Sequence, residues 1–166
     1  MANTYVAIAT TTVGSGGTAS IDFTSIPGTY TDLLVKLSSR TDRVSDTDSV
    51  KLEVNGSTTS YTWLYLLNNS GTVSSATAQR FFTNASQNTA STFASADIYI
   101  PNYTSSNNKS FSIDTSTENN STTVHQQLLT QLWSNTAAIT SIKLSPQFGV
   151  NFVQYTTATL YGIKSS

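Results

Sequence analysis

The chain has 166 residues with 8 Lys+Arg, 9 Asp+Glu, one His and no Cys, a formal net charge of -1; 29 Thr, 26 Ser and 13 Asn make up 68 positions. Without cysteine there is no disulfide framework, thiolate zinc site or cysteine nucleophile, and balanced charge leaves no basic footprint for nucleic acid or anionic lipid. No apolar run approaches the ~18 residues of a membrane helix, and Met1-Ala2-Asn3-Thr4 lacks the basic start of a signal peptide.

A coat of Ser, Thr and Asn first raises disorder, since such chains often bury too little apolar surface to offset chain entropy. Here 37% of residues are hydrophobic, with 7 Phe, 8 Tyr and 2 Trp against 3 Pro. Those residues recur with a period of two. Leu33, Val35 and Leu37 alternate with Asp32, Leu34, Lys36 and Ser38, Val50, Leu52 and Val54 with Lys51 and Glu53, Ala96, Ile98 and Ile100 with Asp97 and Tyr99, and Phe111 and Ile113 with Ser112 and Asp114. Alternation of this kind marks half-buried antiparallel strands.

In chain order, the pattern predicts strands near 4–12, 18–24, 32–39, 49–55, 60–67, 92–100, 109–117, 122–133, 139–145 and 151–163. Breakers separate them: Gly14-Ser15-Gly16-Gly17, Ile26-Pro27-Gly28, Asn55-Gly56, Asn68-Asn69-Ser70-Gly71, Pro101-Asn102, 105–108, 118–120 and 146–149. Between 74 and 91 the alternation fails, which predicts a short helix around 76–82 or a long loop. The 122–133 segment places Leu128, Leu129, Leu132 and Trp133 at spacings that also suit a helix, but its β-branched start favours a strand. The expected fold is all-β, one antiparallel β-sandwich domain over 1–166, with a jelly roll as the leading topology.

The chemistry candidates are few. His125 has no Gly-x-Ser-x-Gly elbow to serve, and Gly14-Ser15-Gly16-Gly17 lacks the Gly-Lys-Ser/Thr ending of a phosphate loop. No enzymatic activity, catalytic residue, metal or other cofactor is expected. Charge concentrates in one stretch, where Arg40, Asp42, Arg43, Asp46, Asp48, Lys51 and Glu53 place 7 charged residues in 14 positions. The three aspartates could offer oxygen ligands to calcium, but the spacing matches no calcium loop and arginines compete for them. Ion pairing is the better reading, within the loop or across a subunit contact, with Arg40 and Arg43 each suited to hold a carboxylate bidentately.

Tyr61, Trp63 and Tyr65 alternate, so their rings emerge on one face of a strand, with Leu64 and Leu66 on the other. A core layer or subunit contact is the leading reading; a platform for carbohydrate is the alternative. The surface as a whole favours association. Net charge near zero removes repulsion, and short hydroxyl side chains lose little rotamer entropy when ordered at a contact. A homo-oligomer, in first place a trimer, is expected.

The run Ile26-Pro27-Gly28-Thr29-Tyr30-Thr31-Asp32-Leu33-Leu34-Val35, then Ser39-Arg40, Asn55-Gly56 with Tyr61, and the closing Ala158-Thr159-Leu160-Tyr161-Gly162-Ile163 give a second kind of reading. Together they resemble a group of small tailed-phage virion proteins, common in phages of aquatic bacteria, including cyanophages. The resemblance implies a β-sandwich or jelly-roll structural component, a capsid decoration (cement) protein or part of a tail fibre. It departs from the group at Ser57-Thr58-Thr59-Ser60, where an acidic or Asn-rich strand often follows Asn-Gly. The expectation is a decoration protein on the virion surface that clamps neighbouring major capsid subunits. The alternative is a tail-tip module binding host glycan, with neither nucleic acid nor membrane as partner. The strand near 5–12 and the charged 40–53 stretch are the expected contacts, and Gly162 in the final strand marks a close backbone approach or a bulge.

Overall fold

The computed structural model describes residues 4–118 and 124–164. Among the described residues, twelve strands carry the fold: β1 (Tyr5–Thr12), β2 (Ile21–Phe23), β3 (Asp32–Ser39), β4 (Thr47–Val54), β5 (Tyr61–Asn69), β6 (Thr72–Ala76), β7 (Phe81–Asn84), β8 (Ala94–Ile100), β9 (Lys109–Ser116), β10 (His125–Trp133), β11 (Ile142–Pro146) and β12 (Thr157–Ile163). They form an eight-stranded sheet in the order β1-β12-β3-β8-β9-β10-β5-β6 and a four-stranded sheet in the order β2-β11-β4-β7. The paired strands are antiparallel throughout, and the two sheets pack as a β-sandwich.

Alternation explains the core. Leu33, Val35 and Leu37 of β3, Ile98 and Ile100 of β8, Phe111 and Ile113 of β9, and Leu160 of β12 meet Val50, Leu52 and Val54 of β4, Ile142 and Leu144 of β11, and Ile21 and Phe23 of β2. At Asn55-Gly56, both central residues have positive φ (52° and 67°), and Ser57 donates its N–H to the Val54 carbonyl at 2.9 Å, the mirror-image turn that Asn-Gly favours. Gly162 behaves as its sequence position implies: the Tyr30 ring lies where a Cβ would project, so only glycine fits.

The stretch 74–91 departs from expectation. In place of a helix or a long loop it holds the end of β6 and all of β7, the former paired to β5 and the latter to β4. All five β6 residues are exposed and β7 is nearly all buried, so neither alternates. The 122–133 segment is a strand as predicted over its described part, β10 beginning at His125; 122 and 123 lie outside the described residues. The predicted strand near 151–163 is regular only from Thr157, while Phe152 makes isolated bridges to Thr18 and Thr41.

Candidate functional site

The charged stretch runs from the end of β3 into β4, and most of its charge turns inward onto backbone. Arg40 is buried, and its guanidinium donates to four main-chain carbonyls: Thr89 at 2.7 Å, Asn88 at 2.9 Å, and Ser86 and Thr92 at 3.1 Å each. No carboxylate among the described residues takes the place of the expected bidentate partner. A rigid guanidinium fork can satisfy several carbonyls at once, which an irregular loop without ladder partners needs. Burial pushes the Arg40 pKa down.

Asp42 and Asp48 form a matching clamp on the loop after β11. Asp48 accepts N–H bonds from Phe148 (3.3 Å) and Gly149 (2.9 Å), and Asp42 from Val150 (2.8 Å) and Asn151 (3.0 Å). Asp48 also accepts the Thr41 hydroxyl at 2.8 Å and is buried. Gly149 is required here, since a Cβ would stand 2.8 Å from Asp48 Oδ2 and 2.9 Å from Asp42 Oδ1. Asp46 stays local, accepting from Ser45 and Thr47. Arg43 donates to the Thr47 carbonyl at 3.0 Å and lies 3.9 Å from Asp48. Its guanidinium and that of Arg80 stand 4.5 and 5.0 Å from the Phe148 ring centre. So the carboxylates expected to pair with arginine mainly hold backbone amides.

The aromatic triplet of β5 faces inward. Tyr61 is buried, Trp63 and Tyr65 pack half-buried against the core, and the Tyr61 ring stacks between Trp63 (5.8 Å) and Trp133 (6.4 Å). The Tyr61 hydroxyl accepts the Val54 N–H at 2.9 Å and donates to the Ser57 carbonyl, tying β5 to the smaller sheet; burial raises its pKa. These rings serve the core reading and offer no outward platform for a sugar. His125 is equally ordinary, its Nδ1 3.3 Å from the Thr117 hydroxyl and its ring edge-on to Phe82.

With the rings inside, parity puts the leucines outside. Leu64 and Leu66 of β5 are each 53% exposed, Leu128 and Leu132 of β10 50% and 38%, and Val73 of β6 69%. Leu66 sits directly across from Leu128, and a shallow groove of about 280 Å³ runs between Leu64, Leu66 and Leu128 toward Ser112 and Thr130. Hydroxyls and amides border the patch; the one charge in register beside it is Asp114, opposite Leu128. Grouped apolar exposure of this kind marks interaction sites, whereas scattered exposed leucines are ordinary. Sequence reasoning placed Leu64 and Leu66 opposite the rings but did not single them out. The available signal was a strand apolar on both faces.

Across the same sheet, Lys36 pairs with Asp97 at 2.5 Å on the solvent face. Asp32 accepts from the Tyr99 hydroxyl and the Asn102 N–H, and the former bond raises the Tyr99 pKa. In comparisons with protein-family models, curated proteins and solved structures, nothing matches this chain.

Proposed function

We propose that this chain is a structural virion protein of a tailed phage: a non-catalytic capsid decoration (cement) protein that sits on the icosahedral head, binds neighbouring major capsid subunits and associates with copies of itself, in first place as a trimer. The observation that carries the reading is the outward leucine patch on β5 and β10, set in a broad hydroxyl-rich sheet. Such a face buries apolar area at a protein contact while desolvating little charge. The resemblance of the Ile26 to Val35, Asn55-Gly56 and Ala158 to Ile163 segments to small phage virion proteins points the same way. Topology supports it too: chain alternation between β1-β12-β3-β8 and β2-β11-β4-β7 reads as a jelly roll, with β5-β6 and β9-β10 as added hairpins.

The tail-tip alternative loses its proposed platform, because Tyr61, Trp63 and Tyr65 are committed to the core. Quantitative mass spectrometry of purified particles tests the assignment. Hundreds of copies per particle are expected; a few copies to a few tens would place the chain in the tail, and none would overturn the virion reading. Size-exclusion chromatography with light scattering tests self-association, and a monomer at high micromolar concentration would overturn it.

A further inference from the structure

A second feature lies away from the leucine patch, where the segment between β6 and β7 meets β4 and the loop after β11. Lys51, Thr77, Ala78, Gln79, Arg80 and Gln147 line a recess of about 440 Å³. That volume lies within the range of small-molecule sites, roughly 300–1,000 Å³. Unlike the leucine groove, it is lined almost wholly by hydrogen-bonding side chains, and no carboxylate is among them. Among the described residues, neither Lys51 nor Arg80 forms an ion pair. In a chain with only 8 Lys+Arg, two cations converge here on one polar hollow. Thr77 and Gln147 add uncharged hydrogen-bonding side chains to the same lining.

We propose that this recess binds a carboxylate-bearing monosaccharide, such as a uronic acid residue of a bacterial surface polysaccharide. Arg80 is the carboxylate anchor. Its guanidinium carbon stands 5.0 Å from the Phe148 ring centre, a contact that restrains the side chain, and a guanidinium fork suits a planar bidentate acceptor. Lys51 adds a second charge. The Gln147 amide and the Thr77 hydroxyl suit ring hydroxyls, which both donate and accept. An isolated glutamate side chain would reach the cations but leave the amide and the hydroxyl unused, so a sugar acid fits better than an acidic peptide. This site does not depend on the cement assignment, since a head-bound protein can also carry the particle to a cell surface.

The test is a titration of the full chain followed by ¹⁵N–¹H correlation spectra, with sodium glucuronate as probe, glucose as neutral match and a tetraglutamate peptide as the protein-like acid. Glucuronate is expected to shift the amides of 77–80 and 147 with millimolar affinity, while glucose at the same concentration leaves them in place. Arg80→Gln and Lys51→Gln are each expected to weaken binding by about tenfold, with the spectra reporting that the variants stay folded. Lys143→Gln, on the exposed face of β11, is expected to bind as the parent does. Equal shifts with glucose, no shift with ~50 mM glucuronate, or undiminished binding in the Arg80→Gln, Lys51→Gln double variant would each overturn the site. Shifts with tetraglutamate but none with glucuronate would overturn the sugar as occupant.

Discussion

Two regions of the sandwich spend their residues in opposite ways. At the end built by Arg40, Asp42 and Asp48, charge is turned inward and each ionic group holds several backbone groups of loops distant in sequence. In the wing built by β5, β6 and β10, apolar side chains are turned outward and order comes from strand pairing and the inner rings. Charge sits where irregular backbone needs partners, and hydrocarbon faces water where strands satisfy themselves. The first arrangement holds the fold together; the second leaves apolar area open to a contact, as the proposed assembly role needs.

The sharpest way to break the contrast is Arg40→Met, which keeps the side-chain volume and removes every donor. Four main-chain carbonyls, that of Asn88 in a buried residue and the others partly exposed, lose their charged partner, and the loss of stability is expected to be about 2–4 kcal/mol in urea melts. Arg40→Lys should recover only part, because an ammonium cannot span the carbonyls as a planar fork does. A loss below about 1 kcal/mol for Arg40→Met would mean that the 84–92 loop is held by other means. Gly149→Ala comes next. Its new methyl collides with both carboxylates of the clamp, and about 1–3 kcal/mol of destabilisation is expected, with faster hydrogen exchange at the amides of 148–151.

Neither half of this contrast was equally legible beforehand. The core strands could be read from alternation, because Leu33, Val35, Leu37 and their counterparts bury one face and wet the other. β6 and β7 were hidden for a physical reason: one is exposed on both faces and the other buried on nearly all of its length, so a period of two carries no signal. The partners of Arg40 were equally invisible, since they are main-chain carbonyls with no side-chain signature. The charged cluster itself was evident; that its arginine and aspartates would bind amide groups instead of each other was not. In β5, alternation separated rings from leucines correctly but could not say which set faces in.

Tyr61 marks the place where the wing is tied to the smaller sheet. Tyr61→Phe removes the acceptor of the Val54 N–H and is expected to cost about 1 kcal/mol at neutral pH. The pH dependence has a definite sign. Burial raises the folded-state pKa of Tyr61, so above the ordinary value of about 10 the native state keeps a proton that the unfolded chain releases. Its contribution is fully present below that pH and is lost as pH rises through the raised value. Melting temperature should therefore fall above pH ~10, and fall less steeply in Tyr61→Phe. A slope identical to the parent's would assign the alkaline loss elsewhere, with Tyr103, also raised by burial, the next candidate.

The smallest effect on the monomer should be the most informative about the wing. Leu66 and Leu128 face each other across β5 and β10, each about half exposed, and neither contributes to the core cluster. Replacing both by Ser keeps the strands paired and trades exposed hydrocarbon for hydroxyl, in keeping with the rest of this sheet. Stability of the isolated chain should stay within about 0.5 kcal/mol, as for surface changes away from buried features. Association should behave otherwise. If the patch is a contact, its centre is where the binding free energy concentrates, and removing two facing leucines should weaken self-association or particle binding by at least tenfold. The double variant thus separates the two uses of hydrocarbon. A melt that moved by several kcal/mol would make these leucines part of the fold. Unchanged association with an unchanged melt would move the assembly contact elsewhere, with the exposed edge of β6 or the β1 strand as the next surfaces to vary.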